Sequence, residues 1–365
     1  MNQIENFFER IITVKWAPNN EAVDIIDQTL LPNKVKRIQL NKKEEMWEAI
    51  KKLQVRGAPA IGVMAAFSIA FLADEIKTTD YNTFCLEYKK LSDYFATSRP
   101  TAVNLFWALN RMLELVESNK NIPVPELKQL LFEEADAIRD EDVEISRNIG
   151  EIGFELLKKL KLHGKPIGIL THCNAGTLAT AKYGTATAPM YIALEHDWTG
   201  DDMHVYCDET RPLLQGSRLT AFELSNAGIK TTVQCDNMAS VLMAEDKIDI
   251  IFVGCDRVAK NGDTANKIGT NTIAILAKHY GIPMYICAPS STIDLKTDKG
   301  TDIPIEIRDP DEITAMWYKE RMAPQNIDVF NPAFDVTDHS LLSGIITERG
   351  LCEAPYEKAF EELRI

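Results

Sequence analysis

Several things this sequence lacks narrow its function. No C-x-x-C pair occurs. The seven cysteines, Cys85, Cys173, Cys207, Cys235, Cys255, Cys287 and Cys352, are scattered and odd in number. That fits neither a zinc ribbon nor a disulfide framework, and the expected setting is a reducing, cytoplasmic compartment. There is no Walker loop, and no G-x-G-x-x-G opens the first βα unit. Nicotinamide dependence is therefore not expected, and no other cofactor is. Ile61–Leu72 is apolar but too short to span a bilayer, which takes about 20 residues. Met1–Arg10 is charged and lacks the apolar core of a signal peptide. Basic residues are outnumbered, 40 Lys and Arg against 54 Asp and Glu, for a net charge of −14. That excess repels nucleic-acid phosphates, so neither nucleic acid nor a membrane is an expected partner. A small phosphorylated molecule is still admissible, because it needs only a local pocket of Arg, Lys and backbone N–H groups.

Hydrophobic residues make up 45% and charged residues 26% of 365, an ordinary globular composition. The length suits about two domains. Ile11–Trp16, Ala22–Ile26 and Val35–Leu40 read as strands of a small antiparallel sheet, with a turn at Pro18-Asn19-Asn20. Glu44–Leu115 follows helical spacing, as in Met46, Ile50 and Leu53 and again in Leu105, Leu109, Met112 and Val116. Asn119–Pro125 is polar and proline-bearing, a candidate linker ahead of a long charged helix over roughly Glu126–Leu160. The expected division is therefore residues 1–125, a smaller domain of helices and antiparallel strands, and residues 126–365.

Beyond Gly164 short apolar runs alternate with helical stretches. The runs are Ile167–His172, Met190–Leu194, Val205–Asp208, Thr231–Cys235, Ile248–Val253 and Met284–Ala288. Unalternating apolar runs of this length read as strands buried on both faces of a parallel sheet. Leu219–Asn226, Met238–Glu245 and Asn271–Tyr280 read as the intervening helices. The expected fold is α/β, with a doubly wound parallel sheet in the second half. Ligands of such sheets sit beyond the carboxyl ends of the strands, which directs attention to the residues there.

Three strand ends carry chemistry. One runs into Thr171-His172-Cys173-Asn174-Ala175-Gly176, a second into Asp208-Glu209-Thr210-Arg211-Pro212 and then Gln215-Gly216-Ser217-Arg218, and a third into Gly254-Cys255-Asp256-Arg257. Cys173 reads as a nucleophile or thiol acid, or as a small buried residue. Asp256 reads as a general acid/base whose pKa a buried strand end would raise, or as a helix N-cap or partner of Arg257. His172 beside Cys173 reads as structural or orienting, because adjacent residues on a strand face opposite ways. Asn261–Thr270 reads as a polar loop opening a helix, able to offer Lys267 and backbone N–H groups to an anion. In the first half, Arg56-Gly57-Ala58-Pro59 reads as a phosphate cradle at a helix start or as a plain helix-start turn. Arg99, within Thr97-Ser98-Arg99-Pro100-Thr101, puts a second arginine at a helix start. His196, Asp197, Asp201, Asp202 and His204 match no zinc spacing and read as a solvated loop, so no metal is expected.

Seven segments then occur in order: Arg56–Gly62 (RGAPAIG), Ser98–Ala108 (SRPTAVNLFWA), His172–Gly176 (HCNAG), Glu209–Gly216 (ETRPLLQG), Gly254–Arg257 (GCDR), Gly262–Thr270 (GDTANKIGT) and Phe330–Thr337 (FNPAFDVT). Together they resemble the 5-methylthioribose-1-phosphate isomerases. That family is allied to 5-deoxyribose-1-phosphate and ribose-1,5-bisphosphate isomerases and to the alpha, beta and delta subunits of translation initiation factor 2B. The resemblance covers nearly the whole chain. It implies a smaller N-terminal domain, a Rossmann-like C-terminal domain, a sugar-phosphate substrate and usually a homodimer. It implies catalysis by Cys173 and Asp256, and substrate binding by Arg56, Gly57, Ala58, Arg99, Gln215, Asn266 and Lys267. Gln215 and Asn266 rest mainly on the resemblance.

Overall fold

A computed structural model describes residues 3–100, 102–161 and 164–365. The chain opens on α1 (Gln3–Arg10) and then divides into two compact units. Unit 1 holds Glu5–Glu144 and Thr177–Gly184; unit 2 is built on Ile145–Gly176 and Thr185–Ile365.

Unit 1 begins with the expected three-stranded antiparallel sheet, β1 (Val14–Trp16), β2 (Val23–Ile26) and β3 (Arg37–Leu40). Four helices follow: α2 (Lys43–Lys51), α3 (Ala58–Asp74), α4 (Tyr81–Ala96) and α5 (Val103–Ser118). α3 is apolar all round, as a helix must be if neighbours cover it on every side, and Ala60 to Ala70 are all buried. Trp16 stacks on its Phe67 with ring centroids 4.2 Å apart. The polar stretch Asn119–Pro125 carries the turn from α5 into α6 (Val124–Leu160). At 37 residues, α6 is about 55 Å long. Its Leu127, Leu131, Ala135 and Ile138 recur at helical spacing and are buried in the core of unit 1. From Ile145 onward it belongs to unit 2, where Ile149 and Leu157 are buried.

The main sheet of unit 2 is assembled from β4 (Ile167–Thr171), β5 (Met203–Asp208), β6 (Lys230–Gln234), β7 (Ile250–Val253), β10 (Met284–Cys287), β13 (Gly344–Thr347) and β14 (Gly350–Cys352). Their spatial order is β14-β13-β10-β7-β4-β5-β6, all parallel except the β13–β14 pair. The helices are α7 (Ala188–Glu195), α8 (Ala221–Asn226), α9 (Ala239–Ala244), α10 (Thr270–Tyr280), α11 (Asp311–Thr314) and α12 (Tyr356–Glu362). A second sheet, β11-β8-β9-β12, joins β8 (Arg257–Ala259), β9 (Thr264–Lys267), β11 (Ile293–Asp294) and β12 (Phe334–Thr337). No helix among the described residues is long and apolar enough to cross a membrane.

Three expectations need correcting. Met190–Leu194 lies in α7, not in a strand. A short apolar run does not distinguish a buried helix from a buried strand, and Pro189 in the first turn favours the helix. β6 is not buried on both faces; it is the edge of the sheet, with Lys230, Thr232 and Val233 exposed. The helix expected from Leu219 begins instead as a π-helical turn, Gly216–Thr220, that runs into α8.

Asp263, in the turn between β8 and β9, ties three segments together. Its carboxylate accepts from the Asn261 side chain (2.8 Å), Gly300 N–H (3.0 Å), His339 N–H (3.0 Å) and His339 Nδ1 (2.7 Å). Burial alone would raise its pKa, but these donors outweigh it and hold it at about 2 rather than 3.8. A depressed carboxyl stabilises the fold above its unfolded value and loses that contribution as pH falls through its folded value. About 1–2 kcal/mol should therefore disappear between about pH 4 and pH 2, allowing for screening at a half-buried site. Urea unfolding of wild type and Asp263→Asn across that range checks this, and equal pH slopes for the two would count against it.

Candidate active site

The order of the main sheet locates the site. The chain lays down β4, β5 and β6 to one side, then returns to place β7, β10 and β13 on the other side of β4. The reversal falls between β4 and β7, which pair in parallel through Ile169↔Ile250 and Leu170↔Ile251. Ligand crevices of open α/β sheets lie at such a point, beyond the carboxyl ends of the strands. β4 runs into His172-Cys173-Asn174-Ala175-Gly176, and β7 into Gly254-Cys255-Asp256. These two segments touch. A Cβ on Gly254 would lie 2.5 Å from Cβ of Ala175, so only glycine permits the approach.

Cys173 is buried, at 9% exposure, with φ of +63°. Such a backbone is uncommon in a residue that carries a Cβ. Its N–H donates to Thr210 Oγ1 (2.8 Å), and its carbonyl accepts from Thr220 Oγ1 (2.6 Å). Asn174 Nδ2 donates to Thr220 Oγ1 and to Glu223 Oε1, both at 3.1 Å. Gly176 lies so close to the buried Glu223 carboxylate that a Cβ there would be 1.8 Å from Oε2.

His172, read as structural or orienting, is held at both ring nitrogens. The ring is 1% exposed. Nε2 lies 2.8 Å from the Ile268 carbonyl, which can only accept, so Nε2 carries the proton. Nδ1 lies 3.1 Å from Asp208 Oδ2 at the end of β5, and Gln234 Nε2 donates to Asp208 Oδ1 (2.9 Å). Burial pulls the imidazole down, but hydrogen bonding to Asp208 and the charges of Asp208 and Asp236 outweigh it and raise it. Burial raises Asp208, with His172 opposing. Both directions mean that the pair keeps its proton to higher pH. Asp236 accepts the N–H groups of Thr210 and Arg211 on its two oxygens, each at 2.7 Å.

Asp256 departs from the expected buried position: the strand before it is buried, but Asp256 itself is exposed. Arg257 pairs with Asp294 at 3.6 Å. The Cys255 thiol next door is pushed well up by burial and by the Asp256 charge, which keeps it protonated.

Gln215 is 5% exposed, and its Oε1 has no hydrogen-bond partner among the described residues. A buried acceptor of this kind costs about 1–3 kcal/mol unless a donor reaches it. Asn266 and Lys267 are not in a loop. They end strand β9, with Asn266 opposite Asp335 and Lys267 opposite Phe334 on β12. Lys267 is 7% exposed and its Nζ sits 5.2 Å from the Phe334 ring centre. Asn266 Nδ2 donates to Thr270 Oγ1 (3.0 Å). The start of α10 is not an open anion site, because Asp335 accepts the N–H groups of Gly269 (2.8 Å) and Asn271 (3.2 Å). Lys267, not those amides, remains the anion-binding candidate there. Gly269 packs on the His172 ring, 2.8 Å from its Cε1 to a built Cβ, which joins this segment to the Cys173 segment.

The remaining candidates belong to unit 1. Gly57, with φ of +92°, is the N-cap of α3. Pro59 has no N–H, and no side chain caps this end, which leaves Gly57 and Ala58 amides at the helix start beside the half-buried Arg56. A Cβ on Gly57 would lie 2.5 Å from Cα of Ala179. Arg99 is half-buried between α4 and α5.

The His196–His204 residues are dispersed. His196 stacks on Phe154, Asp202 caps Thr199, and His204 stacks on Tyr206. Two other groups bring metal-ligand atoms within 4.8 Å of one another: His172, Asp208 and Asp236, and Asp263, Asp338 and His339. In the first, His172 bonds Asp208 while Asp236 accepts from Thr210 and Arg211; in the second, His339 bonds Asp263. Sequence alone assigned no role to Asp208, Thr210, Asp236 or Asp335. Asp208 did carry a signal, as a charge closing the apolar run of β5.

The sequence model of the Initiation factor 2 subunit family matches residues 54–354. The methylthioribose-1-phosphate isomerase of Symbiobacterium thermophilum is 53% identical over 342 residues, 94% of this chain and 93% of that protein. The 5-deoxyribose 1-phosphate isomerase of Petrotoga mobilis is 51% identical over 353 residues, 97% of this chain and 99% of its own. The crystal structure of 5-methylthioribose 1-phosphate isomerase from Pyrococcus horikoshii superposes with a TM-score of 0.90 at 42% identity, covering 100% of this chain and 99% of that one. With a family match over most of its length and relatives above half identity, the chain belongs to the Initiation factor 2 subunit family.

Proposed function

We propose that this protein is an aldose–ketose isomerase that converts 5-methylthioribose 1-phosphate to 5-methylthioribulose 1-phosphate in methionine salvage. The observation that carries the reading is the placement of Cys173 and Asp256 after neighbouring parallel strands, at the point where the strand order reverses. The names of the relatives support it. The Petrotoga relative favours a second reading, 5-deoxyribose 1-phosphate as substrate.

The chemistry is redox-neutral overall. The substrate's anomeric carbon is locked in a phosphate ester, so no free aldehyde is present. The bond from C1 to the ring oxygen breaks and that oxygen gains a proton. Hydrogen leaves C2 and arrives at C1, O2 loses its proton, and C2 becomes a ketone. C1 is reduced as C2 is oxidised within one molecule, so the balance requires no external oxidant. Asp256 serves as the principal acid/base, and Cys173 assists the opposite transfer. Arg56 with the Gly57 and Ala58 amides, Arg99 and Lys267 bind phosphate, while Gln215 and Asn266 bind the sugar. The lone Gln215 Oε1 suits a substrate hydroxyl donor.

We further infer a cytoplasmic homodimer. The cysteine pattern supports the compartment. The exposed edge strand β6, with Val233, and the exposed Met238 and Val241 that follow it support self-association.

The test is chelator-treated protein with each sugar phosphate, followed by NMR, beside Cys173→Ala. Conversion of the methylthio sugar with clear preference is expected, with Cys173→Ala slower by at least about 100-fold. Conversion of the deoxy sugar alone would transfer the assignment to the second reading. Conversion of neither would remove the isomerase reading, and an unimpaired Cys173→Ala would take the thiol out of the chemistry. Light scattering on the same sample should give twice the 41.0 kDa chain mass.

A further inference from the structure

Two features around Cys173 have no part in the chemistry above. Cys173 and Thr210 are both non-glycine residues with positive φ, +63° and +66°. They are also bonded to each other, Cys173 N–H to Thr210 Oγ1 at 2.8 Å. Left-handed conformations are disfavoured for residues bearing a Cβ and persist only where the surroundings over-determine them. In this protein the surroundings do so.

Thr210 is fully buried. Its hydroxyl accepts from Cys173 and passes its own proton to the Asp208 carbonyl (3.0 Å), so both of its roles are used. Its own N–H is held by Asp236 Oδ1 at 2.7 Å, with Arg211 N–H on Oδ2. Gly216 closes the arrangement from below: a Cβ there would stand 1.7 Å from the Asp208 carbonyl and 3.0 Å from Thr210 Oγ1. On the other side, the Thr220 hydroxyl holds the Cys173 carbonyl at the end of a π-helical turn. Such turns recur at functional sites because they re-aim backbone and side chains.

We infer that Thr210 is a positioning residue: its hydroxyl latches the Cys173 backbone in the left-handed conformation that sets the direction of the thiol. The inference rests on the proposed role of Cys173 in the reaction. Thr210 itself does no proton transfer to the substrate. Valine at this position matches threonine in shape and removes only the hydroxyl, leaving the buried Cys173 N–H without its acceptor and the turn free to relax. A displacement of about 1 Å at a reacting group is enough to cost about 100-fold in rate.

The experiment compares Thr210→Val, Thr210→Ser and Thr210→Ala with wild type in two readouts. The first is steady-state kinetics on the methylthio sugar. The second is the rate at which iodoacetamide labels the Cys173 peptide, followed by mass spectrometry, which needs no substrate. Thr210→Val is expected to lower kcat by about 10- to 100-fold with KM within about twofold, and to change the labelling rate at Cys173 by at least about threefold. Thr210→Ser, which keeps the hydroxyl, is expected to restore both. Should the valine variant not fold, serine against alanine supplies the same comparison, since they differ by the hydroxyl alone. Hydroxyl-free variants with wild-type kcat and labelling rate overturn the inference, as does a serine variant as impaired as alanine. Failure of the underlying reading looks different: Cys173→Ala would stay active while labelling still responded to Thr210.

Discussion

Replacing Asp256 by Asn should lower kcat by about 10²- to 10⁴-fold while leaving KM within about threefold, the signature of a lost proton-transfer group. Asn keeps the size and the backbone N–H that donates to the Ala265 carbonyl (3.0 Å), and removes only the ionisable oxygen. The side chain is exposed, so folding stability should barely change. That separates this variant from a structural lesion: matched thermal midpoints with collapsed turnover assign Asp256 to the chemistry. Steady-state kinetics by NMR decides it, and turnover near wild type would take the acid/base role from Asp256.

The second large effect falls on unit 1. Gly57→Ala should destabilise the fold by about 3 kcal/mol or more, combining backbone strain with overpacking. The φ of +92° lies where L-residues rarely go, and the added methyl would meet Ala179 backbone at 2.5 Å. Ala179 cannot simply retreat. Its segment is fixed to the same unit by Thr13 Oγ1 on the Thr177 carbonyl (2.9 Å) and Gln28 Nε2 on the Leu178 carbonyl (2.8 Å). The strain also disturbs the first turn of α3, so if Arg56 and the two amides bind phosphate as proposed, KM should rise. Urea unfolding measures the stability. A variant within about 0.5 kcal/mol of wild type would show that this turn is more plastic than its contacts imply.

Five strands of the main sheet, β4, β5, β6, β7 and β10, and the helical first half were readable because their signals are periodic and apolar, whereas β13 and β14 were not among the expected runs. Ile169, Leu170, Ile251 and Phe252 need burial on both faces, and only a covered strand provides it. The second sheet was not readable. β8, β9 and β12 are three or four residues long and carry Arg257, Asn266, Lys267 and Asp335, residues that look like loop. Cross-strand pairing holds them in place, and pairing between distant segments leaves no local pattern. α7 misled for the opposite reason, since Met190–Leu194 is apolar whichever conformation it takes.

The sequence by itself determined which chemical groups are available and that three of their motifs follow buried strands: those of Cys173, Asp256 and the segment leading to Gln215 stand at the ends of apolar runs, while Lys267 lies in a polar, loop-like stretch. It also supplied Arg56 and Arg99 at helix starts. Tertiary structure alone decided how those groups are held. It exposed Asp256 while burying the strand behind it. It gave the amides at the start of α10 to Asp335, and it set Cys173 and Thr210 in paired left-handed turns. It also folded Thr177–Gly184 into unit 1 and divided α6 between the two units. The physical reason is the same in each case. Burial preference belongs to each residue and can be read along the chain, whereas hydrogen-bond partners and backbone strain arise only when segments far apart in sequence meet.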